Sequence, residues 1–191
     1  MSLGPERDGV KLGLIDGVFT WQVPSFSDIR GKLTKAYAEE NSVLIPVEFN
    51  LFEHFFTYSK KNVFRGLHFQ GSPHEVSKIV TIVQGKATDF LLDMRRESKT
   101  FSHLQIRELD SDHPISIYIP AGVAHGYFVL EDETIISYKM DGFFCAHCDA
   151  GISGDIINPY LPIDFSDTIR SERDLKLQEF GTFHYKSSCV N

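Results

Sequence analysis

Cysteine, tryptophan and basic residues are all in short supply in this 191-residue chain. Its three cysteines, Cys145, Cys148 and Cys189, are an odd and sparse set. They offer no even framework for the disulfides of a small secreted domain and point to reduced thiols in a cytoplasmic protein. No apolar run approaches the ~18 residues that a membrane-spanning helix requires. Met1 to Gly9 has neither the basic nor the apolar region of a secretory signal, so no membrane partner is expected. Nineteen Lys and Arg against 26 Asp and Glu leave a net charge of −7. Without a basic stripe or run, that balance disfavours a nucleic-acid partner. Repeats, low-complexity tracts and linkers are likewise missing. A single domain over residues 1–191 is the expectation, large enough to bury roughly 70% of its unfolded surface.

Aromatic and strand-forming residues, by contrast, are plentiful. Sixteen Phe and seven Tyr suit a β-rich fold. Strand-like runs cover Val47–Tyr58, Val63–Gln70, Lys78–Val83, Ala87–Asp93, His103–Leu109, Ile115–Ile119, Gly126–Leu130 and Glu133–Lys139. Ile115, Ile117 and Ile119 fall on one face, Ser116 and Tyr118 on the other. Turn residues at Gly85, Asp110–Asp112, Pro120–Gly122 and Glu131–Asp132 separate the runs. About eight short strands with no βαβ rhythm predict an all-β fold, a β-sandwich or jelly roll. One helix is predicted near the C-terminus, from Ser171 to Phe180, with Ser171 as its N-cap.

The chemistry-bearing residues cluster on these strands. Asn62-Val-Phe-Arg-Gly-Leu-His-Phe-Gln70 sets Arg65 and His68 three positions apart. A regular strand would send them to opposite faces, so a bulge is needed to unite them, and Gly66 can supply it. Lys78, then His125 behind the Pro120–Gly122 turn, then Tyr138 follow. A cation, a base, a lysine and a phenol suggest an anionic substrate that loses a proton. Arg30, Arg65, Lys78 and Arg173 are the cations available to an anion. Taken singly, each residue also has a plain structural reading. His68 can be a satisfied core histidine, Asp174 the third-position acid of a capping box, and Tyr138 a strand aromatic.

Two metal patterns are incomplete. Pro120-Ala-Gly-Val-Ala-His125 fits the second motif of cupin jelly rolls, P-x-G-x-x-H, but the expected His-x-His pair of the first motif reads His68 and Gln70. With only Glu75 and His74 nearby, open-site iron or zinc chemistry loses its best ligands. Cys145-Ala-His-Cys148 has zinc-knuckle spacing but no second Cys/His pair at a useful distance, so incidental residues of a surface loop are expected there. No metal ligand is therefore assigned.

Together the motifs resemble one family. Asn62–Gln70, Lys78, Val83-Gln-Gly85, Leu92-Asp-Met-Arg95, Ser98-Lys-Thr-Phe101, Ile119–Gly126 and Tyr138-Lys139 are similar to the dTDP-4-dehydrorhamnose 3,5-epimerases. The likeness extends to Asp28-Ile-Arg-Gly31, Asn158-Pro-Tyr-Leu161 and Ser171-Glu-Arg-Asp174, covering about residues 13–176. The resemblance implies a metal-free, cofactor-free cupin jelly roll, usually a homodimer, acting on a nucleotide-linked 4-keto-6-deoxy sugar. It also assigns roles. His68 is the general base, Asp174 the carboxylate orienting it, Tyr138 the proton donor and Lys78 the cation near the sugar ketone. Arg65 binds the diphosphate, Arg30 and Arg173 make further anion contacts, and His125 touches substrate. Asp149 takes the place of an active-site glutamate, and Gln70 and Glu53 complete the substrate-binding set. The segment carrying Arg30 is expected to extend a neighbouring subunit's sheet.

Those residue types also suit the reaction on chemical grounds. A proton beside a ketone leaves only if the enolate oxygen is stabilised, which an ammonium does electrostatically. The base should titrate near neutrality and have its tautomer fixed by a carboxylate. Inversion then needs a separate acid on the opposite face. Several positions depart from the family pattern: Lys35 for a glutamate, Glu53 and Phe55 for a Gln-x-Asn pair, Phe144 for a tyrosine, Asp164-Phe165 for Asp-Trp, and about two extra residues in Gly151–Ile157. The readings open at this point are 3,5-epimerisation, epimerisation at one carbon alone, a metal-dependent cupin, and a non-catalytic sugar-nucleotide binding module.

Overall fold

Two antiparallel sheets face each other in the computed structural model, which describes residues 6–7, 10–12, 14–37 and 48–185. The strands are β1 (Glu6–Arg7), β2 (Val10–Leu12), β3 (Phe19–Gln22), β4 (Ser25–Asp28), β5 (Gly31–Thr34), β6 (Glu53–Ser59) and β7 (Phe64–Gln70). They continue as β8 (Lys78–Gln84), β9 (Lys86–Asp93), β10 (Leu104–Asp110), β11 (Ile115–Ile119), β12 (Val123–Val129), β13 (Thr134–Met140) and β14 (Asp149–Gly151). One sheet runs β1-β2-β3-β11-β8-β13-β6 and the other β10-β9-β12-β7-β14, while β4 and β5 form a separate hairpin. This is the expected jelly roll.

The five-stranded sheet is buried on both faces, and strand alternation shows how. On β12, Val123, Tyr127 and Val129 point into the core between the sheets; Ala124 and Phe128 point the other way. That outer face packs on the segment after β14, through Ile152, Ile157 and Phe165. The C-terminal segment is thus a cover for the sheet. Bridges between Val63 and Ile169 and between Ile152 and Gln178 hold it down.

The central strands agree with the sequence reading to within a residue or three. The first predicted strand begins at Glu53, not Val47; Val47 lies outside the described residues, and 48–52 carry no strand. The predicted helix Ser171–Phe180 is a correction. Two short 3-10 turns form in its place, Asp174–Lys176 and, starting at the last predicted residue, Phe180–Thr182. Ser171 Oγ accepts the Asp174 N–H at 3.1 Å, but the first turn starts from Arg173 and not from Ser171. Extended backbone at Leu177 then ends the turn, because the chain must lie flat along the sheet.

Candidate active site

The bulge anticipated at Gly66 builds the site. His68 pairs with His125 and Arg65 with Tyr127, so three steps along β7 match two along β12. Phe64, Leu67 and Phe69 consequently face the outer core, while Arg65, His68 and Gln70 line the interior cavity. Gly66 is required here. Its φ is +136°, and a Cβ would sit 2.4 Å from the Gly126 Cα.

The cavity, about 440 Å³, opens between the two sheets. From β7 and β12 it takes Arg65, His68, Gln70 and His125; from β6, β8 and β13 it takes Glu53, Phe55, Lys78 and Tyr138. Asp149 on β14, with Arg173 and Asp174 of the covering segment, closes one side. Of the eleven residues nominated from sequence, ten line this one cavity. Arg30 is the exception: it is exposed at the tip of the β4–β5 hairpin, paired with Asp28.

His68 Nε2 lies 2.6 Å from Asp174 Oδ1. Burial lowers the imidazole's affinity for a proton more than Asp174 restores it, and Arg173 and Lys78 lower it further. Burial alone would raise the Asp174 carboxyl, but the His68 hydrogen bond, with His68 and Arg173 charge, carries it below the ordinary value. A neutral imidazole facing a carboxylate must donate through Nε2, which leaves Nδ1 with the basic lone pair. Lys78, buried, donates from Nζ to the His68 carbonyl at 3.1 Å. Burial brings its pKa down to about 8, against the pull of Asp149.

Tyr138 stands on the opposite sheet from His68. Burial, with Tyr127 and Asp89 nearby, raises its pKa well above the ordinary phenol value, so it stays protonated. Its ring stacks on Phe55 at 5.1 Å between centroids and 5° between planes. The Phe55 departure therefore orients the phenol. An imidazole on one wall, a protonated phenol on the other and a lysine beside the imidazole are a set that can carry a proton off one face of a bound ketone and return one to the other.

Several nominated residues are engaged by the protein itself. Gln70 accepts the Cys145 N–H at 2.8 Å through Oε1 and donates from Nε2 to the Phe143 carbonyl at 3.2 Å and to the His74 carbonyl. Asp149 pairs with Arg173 at 2.8 Å. Cys145 and Cys148 are not incidental surface residues either, since Cys148 is fully buried. Sequence reasoning missed Asp89, whose Oδ1 holds His125 Nε2 at 2.6 Å. The available signal was a carboxylate in register with Ala87 and Leu91 on the inward face of β9.

Fold and cavity define the class: an isomerase of the jelly-roll nucleotide-sugar epimerases. The family model described as dTDP-4-dehydrorhamnose 3,5-epimerase matches residues 13–182. A curated relative from Shigella flexneri, named dTDP-4-dehydrorhamnose 3,5-epimerase, is 32% identical over 176 residues, 90% of this chain and 95% of the relative. The dTDP-4-dehydrorhamnose 3,5-epimerase from Bacillus anthracis str. Ames, solved with TDP and PPi bound, is 28% identical with a TM-score of 0.77, covering 85% of this chain and 93% of that one. A 3'-monoepimerase from Streptomyces bikiniensis, solved with dTDP-quinovose, shares the fold at 22% identity and a TM-score of 0.77, covering 88% of this chain and 86% of that one. The chain belongs to the dTDP-4-dehydrorhamnose 3,5-epimerase family.

Proposed function

We propose that this protein epimerises a dTDP-linked 4-keto-6-deoxyhexose at C3 and C5, without a metal or redox cofactor. The observation that carries the reading is the His68–Asp174 pair at 2.6 Å, in one cavity with Tyr138 of the opposing sheet. His68 takes the proton beside the ketone, and the electron pair moves onto the C4 oxygen, which the Lys78 ammonium stabilises. Tyr138 gives a proton to the opposite face, and solvent restores both groups. The same cycle at C5 requires a second pose of the ring. Arg65 and Arg173 supply positive charge for the diphosphate.

The test is NMR of the dTDP-4-keto-6-deoxyglucose reaction in D₂O. Deuterium at both C3 and C5 with the L-lyxo product supports the reading; label at one carbon alone selects the single-centre alternative. Phe144 in place of a tyrosine favours that alternative modestly, since one lost hydrogen bond is worth ~0.5–1.5 kcal/mol. With Tyr138→Phe, exchange is expected to persist while inversion is lost.

The working unit is a homodimer in which the β4–β5 hairpin reaches a neighbour. Support comes from Phe26, Ile29 and Leu33, apolar side chains left exposed on that hairpin beside Arg30. Light scattering that finds only a monomer at micromolar concentration would defeat this. No helix among the described residues is long and apolar enough to cross a membrane. A cytoplasmic location, tested by fractionation, fits a consumer of activated sugar nucleotides.

A further inference from the structure

His74, Cys145 and Cys148 take no part in the chemistry above, yet two separate loops bring them together. His74 precedes β8, 74 positions before Cys148; the cysteines lie between β13 and β14. Cys148 Sγ is 3.2 Å from Cys145 Sγ and 3.3 Å from His74 Nδ1, and the three donor atoms all lie within 4.8 Å of one another. Donors around a tetrahedral Zn²⁺ stand roughly 3.5–3.8 Å apart, given Zn–S near 2.3 Å and Zn–N near 2.0 Å. Two of the separations need to widen by only a few tenths of an ångström, while Cys145 and His74, held within 4.8 Å, would close by up to about an ångström through a side-chain rotation.

The framework behind these donors is rigid. The Cys145 carbonyl accepts the N–H groups of Cys148 and Asp149 at 3.0 and 2.9 Å, which curls both thiols to one side. Gly71 donates to the Cys148 carbonyl at 2.9 Å. Gln70 bonds at once to the backbones of Cys145 and His74 and so fixes the two loops against each other. Burial is graded, with Cys148 buried, Cys145 half-buried and His74 exposed, so a fourth position would open to water.

We propose that His74, Cys145 and Cys148 bind a thiophilic metal ion, Zn²⁺ by ligand preference, as a structural clamp beside the active site. Two thiolates and an imidazole suit zinc and exclude hard cations such as Mg²⁺ or Ca²⁺. Binding releases the two thiol protons and completes the coordination with water. A Cys145–Cys148 disulfide is the competing use of this pair, and thiol counting on the protein as isolated distinguishes it from a metal site. Phe144 and Asp149, each next to a cysteine in the chain, line the catalytic cavity. The ion would pin that wall from behind.

The test uses the full-length protein, reduced and stripped by a chelator, then titrated with Co²⁺. One equivalent should produce a thiolate-to-metal charge-transfer band with the visible bands of a tetrahedral ion. Zn²⁺ should bleach those bands and shield two of the three thiols from a thiol reagent. Cys145→Ser and Cys148→Ser should each abolish the charge-transfer intensity of the two-thiolate site. Gln70→Ala should weaken binding by about 10–100-fold, as for loss of an outer-shell partner. Should Cys148→Ser fail to fold, Cys145→Ser and thiol counting on the wild type carry the test. Absence of the band in the wild type, its persistence at full intensity in a folded cysteine variant, or no thiol shielding by Zn²⁺ would overturn the proposal.

Discussion

His68 and His125 stand opposite each other as paired residues of β7 and β12, and each meets a carboxylate through Nε2 at 2.6 Å. They differ in access to solvent. The His68 side chain is 26% exposed, whereas His125 and Asp89 are 2% and 1% exposed. A base must exchange its proton with water, which the exposure of His68 permits; His125 borders the same cavity but is far more deeply buried.

The two dyads should therefore fail differently. His68→Ala is expected to remove solvent exchange at both sugar carbons, lowering kcat by at least ~10²-fold, with a smaller loss of stability than at His125 because water can enter beside Asp174 through the opening that His68 leaves. His125→Ala strands a buried carboxylate and should cost about 3–5 kcal/mol of stability. Thermal melts alongside deuterium-exchange NMR separate these outcomes; equal melting losses in the two variants would refute the distinction.

The rate should be bell-shaped in pH. His68 must be neutral to act, and its folded pKa lies below 6.5, so kcat/KM should fall on the acid side below that value. Lys78 must be charged, and its pKa is about 8, so activity should fall again near there. Lys78→Met is expected to lower the rate and abolish the alkaline limb. Persistence of that limb would assign it to another group.

Asp93 is a stability device. Its buried carboxylate accepts hydrogen bonds from Arg95, Ser98 and Thr100 at 2.7–2.8 Å. Burial works to raise its pKa, but those bonds prevail and hold it at about 2, down from 3.8. A depressed pKa means stabilisation that is complete above the unfolded value and lost as pH falls toward the folded one. Asp93→Asn should cost about 2 kcal/mol at neutral pH, with the deficit vanishing near pH 2. Urea midpoints across that range are the check; a deficit independent of pH would contradict the charge argument.

Gly66→Ala should harm both fold and rate. Its Cβ would meet the Gly126 backbone, whereas a Cβ on Gly31, at φ +120°, would find nothing within 4 Å. Gly31→Ala thus isolates backbone strain, of order 1–3 kcal/mol. Gly66→Ala should cost more in melting temperature and should also depress kcat, because Arg65 and His68 lose their common face. Equal behaviour of the two variants would sink the idea.

How far the sequence could be read depended on where each signal lives. Strand alternation placed Ile115–Ile119 without error, and the glycine bulge between Arg65 and His68 followed from period-two geometry. The Ser171 bond to the Asp174 N–H was legible but not the start or length of the turn that follows, since the Val63–Ile169 and Ile152–Gln178 bridges are long-range contacts. Gln70 sits in the right motif, yet its partners His74 and Cys145 lie on loops that no local pattern joins. Arg30 lies outside the cavity that the other ten residues line, on a hairpin that pairs with neither sheet.

Asp174 belongs to the same stretch of chain that shields the outer face of the five-stranded sheet. During synthesis every strand of both sheets leaves the ribosome before this carboxylate does. A chain cut before Asp174 would therefore carry every described strand yet leave His68 without its carboxylate partner.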